Sequence, residues 1–401
     1  MINLRSMLNY MKKNKIKTVV FLSNYFNHHQ KPFSDAMYRM LGNGYKFIAT
    51  ARMDDERQNM GWKMEYYPEY VCEAIETSEI QSVQTLIDEA DVVIIGTAPD
   101  MFVDKRIQNN KLVFRYSERI MKQGYEYWKI PVRTIKSCYR NKWYKNTYML
   151  CASAYAARDY GKLLAYINRT YKWGYFPELK KYDDVNELIL NKQPSSILWV
   201  ARLIDWKHPE VAIDIAKKLK AEGYVFTLNI IGNGPLENKI KTLIEENGLS
   251  DCVHMLGAMK PEQVRNYMEQ SEIFMFTSDR SEGWGAVLNE SMNSACAVVA
   301  NHIIGAVPFL IEDEKNGLIY QDKDKIELYT KIKWLLEHSN ERRIIARNAY
   351  NTIANDWNAD VATSRFLTLA NELVFGNVYP TIYQVGVCSK AKKLKDNWYK
   401  K

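Results

Sequence analysis

Short runs of consecutive apolar residues alternate along the chain with segments in which apolar residues recur at helical spacing. The runs indicate strands buried on both faces of a sheet, and the spaced patterns indicate helices that bury one side. In the first half they predict strands at 17–23, 45–49, 92–96, 111–116 and 147–152, and helices at 33–41, 82–88 and 154–160. This alternation predicts a doubly wound, mostly parallel sheet. Because ligands bind beyond the carboxyl ends of such strands, the loops at 24–30, 97–104 and 116–119 are candidate binding segments.

The alternation weakens from 177 to 194, where the sequence is polar and charged, and this stretch is the predicted linker. It then resumes and predicts a second α/β domain with its own core. The predicted strands there lie at 196–200, 226–231, 253–256, 273–276 and 295–300, among helices that include 209–222, 261–270 and 286–293. After residue 324 the pattern is mostly helical, at about 325–338, 341–355 and 361–373.

Composition narrows the class of protein. The chain has 401 residues, 47% of them hydrophobic and 25% charged, which is enough for two globular domains. Its net charge of +8 suits a phosphate-bearing ligand or an anionic surface, and no recognised nucleic-acid module is present, so we expect no nucleic-acid partner. The six cysteines are scattered without metal-ligand spacing, as in a reducing compartment. We find neither an apolar run long enough to span a membrane nor a signal peptide, so we expect a cytoplasmic protein.

A loop with two glycines precedes the predicted helix at 286–293. Such a helix presents its first backbone amides, at the positive end of its dipole, to a phosphate or diphosphate. Glu282 stands before the helix and Glu290 inside it, and Arg202 and Lys207 follow another predicted strand whose carboxyl end shares the same edge of the sheet. Two cations facing a helix N-terminus form a diphosphate clamp. The alternative is that the loop is an ordinary α/β connection and the two cations are solvated surface charges.

At this point the chain resembles a known family, the retaining GT-B glycosyltransferases of family 4, also called glycosyl transferases group 1. The resemblance runs from about residue 197 to 321 and rests on ARLIDWKHPE, IIGNGPLENKI, HMLGAMKPEQV, TSDRSEGWGAVLNESMNSACAVVA and GAVPFLIEDEKNGLIY, in this order. Glu282 and Glu290 match the E-x7-E motif of the family. The resemblance implies an α/β fold of the GT-B type, with two Rossmann-like doubly wound domains facing a cleft. We therefore expect an acceptor-binding domain at 1–185, with the helices at about 361–401 packing back on it, and a nucleotide-sugar-binding domain at 190–360.

The resemblance also implies roles for individual residues. Arg202 and Lys207 match the pair that holds the donor diphosphate, Glu290 matches the glutamate that binds the nucleotide ribose, and Glu282 lies beside the donor sugar. The other donor-binding residues that it implies are Gly232, Gly234, Leu256, Met259, Gly283, Trp284, Gly285, Ala286 and Val287. For Gly232 and Gly234, a simple tight turn is the alternative.

The first half resembles a branch of bacterial surface-polysaccharide glycosyltransferases through NYFNHHQ, RYSER and WGYFP. In these segments His28, His29 and Glu118 are the candidates for activating or positioning an acceptor hydroxyl. The alternative for the two histidines is that one is buried and hydrogen-bonded and the other is exposed.

Two stretches combine cations with aromatic residues. The first, from 129 to 158, contains seven cations and no acid, and the second is the C-terminal SKAKKLKDNWYKK. Such segments dock on anionic lipid headgroups, so an anionic membrane surface is an expected partner. A solvated basic face is the alternative.

Together these inferences predict a retaining hexosyltransferase of surface-polysaccharide synthesis. It would take a nucleotide-diphosphate sugar, with a UDP-sugar expected, and a glycan or lipid-linked glycan acceptor at the inner face of the plasma membrane. No cofactor or metal is expected, since Arg202 and Lys207 supply the positive charge; for Asp322 and Asp324, helix capping is the expected role. The alternatives are a GT-B-fold sugar-nucleotide epimerase and an inactive partner subunit of a glycosyltransferase.

Overall fold

The computed structural model describes residues 15–53, 66–124, 127–137, 146–376 and 382–400. The described residues form two compact units. The first comprises those up to Ile120, those from 127 to Tyr175, and those within Ala359–Lys393. The second comprises Met121–Gly124, Phe176–Asn358 and the described residues from Leu394 onward.

The first unit contains a seven-stranded sheet in the order β3-β2-β1-β4-β5-β6-β7, and every pair is parallel. Its strands are β1 (Val19–Ser23), β2 (Tyr45–Ala49), β3 (Val71–Glu73), β4 (Val92–Ile95), β5 (Val113–Ser117), β6 (Thr147–Cys151) and β7 (Thr170–Lys172). Its helices are α1 (Lys31–Leu41), α2 (Thr77–Glu89), α3 (Met101–Gln108), α4 (Ile130–Ser137) and α5 (Ala156–Lys162). All residues of β1, β4 and β6 are buried, as continuous apolar runs require.

The second unit contains a six-stranded parallel sheet in the order β10-β9-β8-β11-β12-β13. Its strands are β8 (Gln193–Val200), β9 (Thr227–Ile231), β10 (Val253–Gly257), β11 (Ser271–Phe276), β12 (Ala297–Asn301) and β13 (Leu318–Tyr320). Its helices are α6 (Val185–Leu190), α7 (Pro209–Ala221), α8 (Glu237–Glu246), α9 (Pro261–Gln270), α10 (Ala286–Asn293), α11 (Val307–Leu310), α12 (Lys325–Glu337) and α13 (Ser339–Asn355). The prediction of two doubly wound α/β domains is confirmed.

The last helix, α14 (Ala359–Phe375), belongs to the first unit. Its Phe366 is fully buried, with its ring centroid 5.0 Å from that of Phe114 and 5.8 Å from that of Trp173. Burying one aromatic side chain among others contributes on the order of 2–3 kcal/mol, so this residue ties α14 to the first sheet. The end of the chain differs from the prediction for 361–401, since Leu394 and the residues after it pack with the second unit.

Two predicted loops contain helices instead. Met101–Gln108 is a helix within and beyond the predicted loop at 97–104. The predicted linker at 177–194 contains α6 and the start of β8. The side chain of Asp184 accepts a hydrogen bond from the backbone N–H of Asn186, which caps α6, so the polar character of this stretch reflects a short capped helix.

The strand order of the second sheet fixes where a ligand can bind. From β8 the chain builds outward to β9 and β10, and then returns to the other side of β8 with β11, β12 and β13. The loops after β8 and β11 therefore diverge at a topological switch point, where open α/β sheets form their binding crevice.

Candidate active site

The predicted donor-site residues lie at the carboxyl ends of four neighbouring strands, which are β10, β9, β8 and β11 in spatial order. From β10 to β11 they are Leu256, Met259, Gly232, Gly234, Arg202, Lys207, Glu282, Gly283, Trp284, Gly285, Ala286, Val287 and Glu290. The structure thus brings residues from four separate loops to one edge of one sheet, on both sides of the switch point.

The glycine turn after β9 fits closely against the loop after β8. A Cβ atom on Gly232 would lie 1.9 Å from the carbonyl oxygen of Ala201, and one on Gly234 would lie 2.5 Å from that of Leu203. Their φ angles of +139° and +154° are also ones that side chains rarely adopt. Leu203 N–H donates to the Asn233 carbonyl at 2.8 Å, so the turn holds the loop that carries Arg202. The side chain of Arg202 is exposed.

Lys207 and Glu282 form an ion pair that joins the two loops of the switch point. The Lys207 ammonium donates to Glu282 Oε2, and only 12% and 10% of the two side chains are exposed. The backbone around Lys207 is also held in place by the loop after β11. The Thr277 hydroxyl donates to the Lys207 carbonyl at 2.6 Å, and Asp279 N–H donates to the Trp206 carbonyl at 3.0 Å. A nearly buried cation is therefore held beside the loop that contains Gly283 and Gly285.

Helix α10 begins at Gly285, whose φ is +91°. A Cβ atom there would lie 2.6 Å from the Phe276 ring, so glycine is required for the chain to turn so close to β11. The preceding Trp284 is fully buried, and its indole N–H donates to the Asn289 side chain at 2.9 Å. The Trp284 side chain therefore anchors the loop. The groups left to contact a ligand are the backbone of this loop and the first turn of α10.

Glu290 lies on α10, one and a half turns after its start. Burial raises the pKa of its carboxyl group, and the nearby Arg265 guanidinium opposes that shift. Arg265 donates to the Glu290 carbonyl at 3.3 Å and to the Asn293 side chain at 2.9 Å. Within the described ranges, no residue donates a hydrogen bond to the Glu290 carboxylate itself. This oxygen pair is suited to accept hydrogen bonds from a ligand hydroxyl.

His208 follows Lys207 and was not among the predicted site residues. Its imidazole lies between two carboxylates, 3.1 Å from Glu210 and 3.5 Å from Asp279. Hydrogen bonds to Asp279 and Glu210 raise its pKa to about 9, so it is positively charged at neutral pH. The contact with Asp279 joins the loop after β8 to the loop after β11, which fixes the position of Lys207.

In the first unit, the structure brings His28, His29 and Glu118 into one group through Tyr175. The rings of His28 and His29 lie 3.9 Å apart, and the His29 ring lies 6.1 Å from that of Tyr175. The Tyr175 hydroxyl donates to Glu118 Oε1 at 3.1 Å. Burial lowers the pKa of His28; burial and the neighbouring His28 lower that of His29 to about 3. Both imidazoles are neutral at pH 7 and can accept a hydrogen bond.

The C-terminal aromatic residues are engaged within the second unit. The Tyr399 ring stacks on His302 at 5.8 Å, and the Tyr399 hydroxyl donates to the Ile319 carbonyl at 2.6 Å. The Trp398 ring also lies 6.3 Å from His302. The interpretation of this tail as an aromatic membrane anchor is therefore wrong for these two residues. Asp324 does cap a helix, since it accepts hydrogen bonds from the first amides of α12.

The basic stretch at 129–158 is only partly described, since its residues 138–145 lie outside the described ranges. Within it, Tyr148 is buried in β6 rather than exposed at an interface. The segment at 128–137 is exposed along most of its length. None of the helices within the described residues combines the length and the apolar character needed to cross a bilayer.

Comparison with known sequences identifies the second unit. The sequence model of the family Glycosyl transferases group 1 matches residues 181–352, which contain every predicted donor-site residue. This region matches that family, and we call it the group 1 domain. The putative colanic acid biosynthesis glycosyltransferase WcaL of Salmonella typhimurium is 28% identical over 183 residues, 44% of this chain and 45% of that protein.

A second relative is named for a lipid-linked acceptor. It is the N-acetylgalactosamine-N,N'-diacetylbacillosaminyl-diphospho-undecaprenol 4-alpha-N-acetylgalactosaminyltransferase of Campylobacter jejuni, 30% identical over 153 residues, 38% of this chain and 40% of that protein. The chain thus matches less than half the length of either relative.

The fold of the whole chain is also known from solved structures. Anabaena Alr3699/HepE, solved in complex with UDP, superposes with a TM-score of 0.66 over 89% of this chain and all of that one, at 14% identity. The likeness confirms the predicted GT-B fold, in which the group 1 domain is the second α/β unit.

Two residues that complete these groups were missed by sequence reasoning. Tyr175 lies in the WGYFP motif, which was noted without a role for the tyrosine. His208 stands next to a predicted site residue and before Pro209, at the start of a helix in the group 1 domain. Its raised pKa depends on Asp279, 71 positions away, and spacing along the sequence cannot show that contact.

Proposed function

We propose that the chain is a retaining glycosyltransferase of bacterial surface-polysaccharide synthesis. It transfers a hexosyl group from a UDP-sugar to a hydroxyl group of a lipid-linked glycan on the cytoplasmic side of the membrane. The second unit binds the donor and the first unit binds the acceptor.

The observation that carries this proposal is the Lys207–Glu282 pair at the switch point of the group 1 domain. It places a partly buried cation beside the glycine loop that opens α10, and the glycine turn after β9 holds Arg202 on the same edge. Two cations and the N-terminus of an eight-residue helix then converge on one anionic group.

The chemistry follows from where charge develops. As the bond between the sugar and the diphosphate breaks, negative charge builds on the departing phosphate oxygens, and Lys207 and Arg202 stabilise it. A lysine ammonium has three donors, so Lys207 can keep its bond to Glu282 and still donate to the diphosphate. These cations supply the charge that a metal ion supplies in other transferases, so the proposed reaction needs none.

The two glutamates act on the donor. The Glu290 carboxylate accepts hydrogen bonds from the ribose hydroxyls of the nucleotide. Glu282 lies beside the sugar, where it orients the hydroxyl groups and favours positive charge at the anomeric carbon. The acceptor oxygen forms its bond to the anomeric carbon on the face from which the phosphate departs, and the departing phosphate takes the acceptor proton, so the anomeric configuration is retained.

The relatives support the choice of substrates. Alr3699/HepE was solved with UDP, and the Campylobacter relative is named for an acceptor linked to diphospho-undecaprenol. In the first unit, His28, His29 and Glu118 position the acceptor hydroxyl, and the neutral imidazoles accept its hydrogen bond.

The test is acceptor-dependent sugar transfer. Purified protein is incubated with a panel of UDP-sugars and polyprenyl-diphosphate glycans, and UDP release and product are measured together. We expect one donor to release UDP only with acceptor, and NMR of the product to show the anomeric configuration of the donor. Lys207→Ala should lower the rate about 100- to 1,000-fold, while Lys217→Ala, on the exposed face of α7, should leave it unchanged.

Two outcomes would contradict the proposal. UDP-sugar conversion without any acceptor, giving an epimerised sugar, would favour the epimerase alternative. A product of inverted configuration would contradict the assigned mechanism, even if transfer occurs.

A further inference from the structure

An exposed apolar stripe runs along α4 and the turn that precedes it. Trp128, Val132 and Ile135 leave 75%, 70% and 73% of their surface exposed. They stand at i, i+4 and i+7, so they share one side of the segment. Three large apolar side chains side by side in water form the kind of patch that soluble proteins avoid unless a partner covers it.

A basic stripe lies beside the apolar one. Lys129, in the turn before α4, and Arg133 and Lys136, on α4, follow the three apolar residues by one position each, so they form a second stripe beside the first. The described residues 127–137 include no acid, and Arg133 and Lys136 are exposed. The Lys129 ammonium lies 4.7 Å from the centre of the Trp128 ring. We call these six residues the docking face.

We propose that the docking face binds the surface of an anionic phospholipid bilayer. The helix lies flat in the interface, with Trp128, Val132 and Ile135 in the acyl boundary and the three cations at the phosphate groups. Tryptophan favours this depth because its ring is apolar and its N–H is polar. The inference rests on the proposed function, because a lipid-linked acceptor is found at such a surface.

The charge pattern selects this occupant over others. A second copy docked through the same face would set three cations against three cations with no acid between them. A nucleic acid would use the cations but would leave the apolar stripe in water. A bilayer of anionic lipid satisfies both stripes at once, since it offers phosphate groups and hydrocarbon at adjoining depths.

Vesicle sedimentation tests the proposal with the full chain and without donor or acceptor. Vesicles of phosphatidylcholine alone are compared with vesicles that also contain phosphatidylglycerol. We expect binding to the second kind and not to the first, and we expect it to weaken as salt rises. Arg133→Gln with Lys136→Gln should weaken binding about 25-fold, roughly fivefold for each cation. Trp128→Ser with Val132→Ser and Ile135→Ser should weaken it about 100-fold or more.

Matched controls separate the docking face from general surface effects. Val225 and Ile326 are 89% and 72% exposed elsewhere on the chain, and Val225→Ser with Ile326→Ser should bind vesicles like wild type. Lys181→Gln with Lys217→Gln removes two exposed cations of the second unit and, allowing for the lower net charge, should also retain binding. Unchanged UDP stabilisation shows that each variant is folded.

Three results would overturn the inference. The docking-face variants could bind vesicles as well as wild type. Wild type could form a dimer in light scattering that the apolar triple variant loses, which would assign the face to a second copy. It could also bind single-stranded RNA more tightly than the anionic vesicles, with the same variants affected. The vesicle assay contains no sugar, so a failure to bind vesicles leaves the transferase proposal intact. If the protein binds vesicles but transfers no sugar, only the proposed function is refuted.

Discussion

The position of Lys207 in the proposed donor site depends on its neighbours, and His208 is the clearest of them. Its imidazolium lies between the carboxylates of Glu210 and Asp279. Because Asp279 is in the loop after β11, its contact with His208 joins that loop to the loop after β8. Burial raises the pKa of the Glu210 carboxyl, but the hydrogen bond from His208 and, to a smaller extent, the charge of Lys239 lower it below its ordinary value. A positive charge between two carboxylates costs little, whereas a neutral imidazole there leaves both anions poorly compensated.

The first prediction concerns the pH dependence of stability. The folded pKa of His208 is about 9 and its ordinary value is 6.5. The proton is therefore bound more tightly in the folded state, so its stabilisation is complete below about pH 6.5 and is lost as the pH rises through 9. We expect His208→Gln to be less stable than wild type at pH 6.5, and the gap in the free energy of unfolding to close by pH 10. Urea titrations of both proteins across this range measure the gap, and a gap that does not narrow would contradict the charged bridge.

The second prediction concerns the acceptor group of the first unit. Tyr175→Phe removes the hydrogen bond to Glu118 and keeps the ring. A hydrogen bond to a charged group is worth roughly 1.5–3 kcal/mol, so the KM for the acceptor should rise on the order of tenfold or more. The affinity for UDP should stay as in wild type, because Tyr175 belongs to the first unit. An equal loss of UDP affinity would show that the acceptor and donor roles are wrongly assigned.

Individual residues also show which parts of the candidate site could be predicted from the sequence. Lys207, Glu282 and Glu290 were predicted because they fall within motifs of a known family, in register. His208 and Tyr175 were missed, since their roles depend on contacts with Asp279 and Glu118, which are distant in sequence. A titratable side chain acquires its properties from such neighbours.

Among the elements, the glycine turn after β9 has the tightest steric constraint. The loop after β8 passes so close to Gly232 that its carbonyl at Ala201 occupies the space of a side chain. The turn and the loop can therefore move only together.

The third prediction compares two glycines with positive φ. Gly223 has a φ of +83° and open space around its Cβ position, whereas Gly232 has a φ of +139° and the Ala201 carbonyl at 1.9 Å. Gly223→Ala should lower the free energy of unfolding by roughly 1–2 kcal/mol, from backbone strain alone. Gly232→Ala should lower it by roughly 2–5 kcal/mol and should also weaken UDP binding. Equal effects of the two substitutions, with UDP binding intact, would mean that the turn does not support the donor site.

Apolar periodicity located most elements, and its failures have physical reasons. The helices at 261–270 and 286–293 were predicted with the bounds that the structure has. Helix α3 was missed because one of its buried positions is a cation. Arg106 is 1% exposed, and its guanidinium donates to the carbonyls of Ile87, Ala90 and Leu112. A buried cation satisfied by carbonyls is not visible in a pattern of apolar residues.

At the scale of the whole molecule, each of the two units is built from separate segments of the chain. Helix α14 completes the first unit through Phe366, and the residues after Lys393 return to the second, where the Tyr399 hydroxyl bonds to the Ile319 carbonyl. The sequence predicted the return of the helices because a family resemblance implied it. It did not predict that the final residues pack on the second unit, because their composition is equally typical of a basic membrane anchor. Only the contacts of Trp398 and Tyr399 with His302 distinguish these two arrangements.

The central claim is that the second unit binds a nucleoside diphosphate sugar through Lys207 and Glu290. The most direct measurement is calorimetric titration of wild type, Lys207→Ala, Glu290→Gln and the control Lys217→Ala with UDP and a panel of UDP-sugars.

We expect wild type and Lys217→Ala to bind equally, and both site variants to bind about 10- to 100-fold more weakly, since each loses hydrogen bonds that involve a charged group. If wild type binds no nucleotide on the panel, or if both site variants bind as tightly as the control, the diphosphate site is wrongly placed and the transferase proposal fails with it.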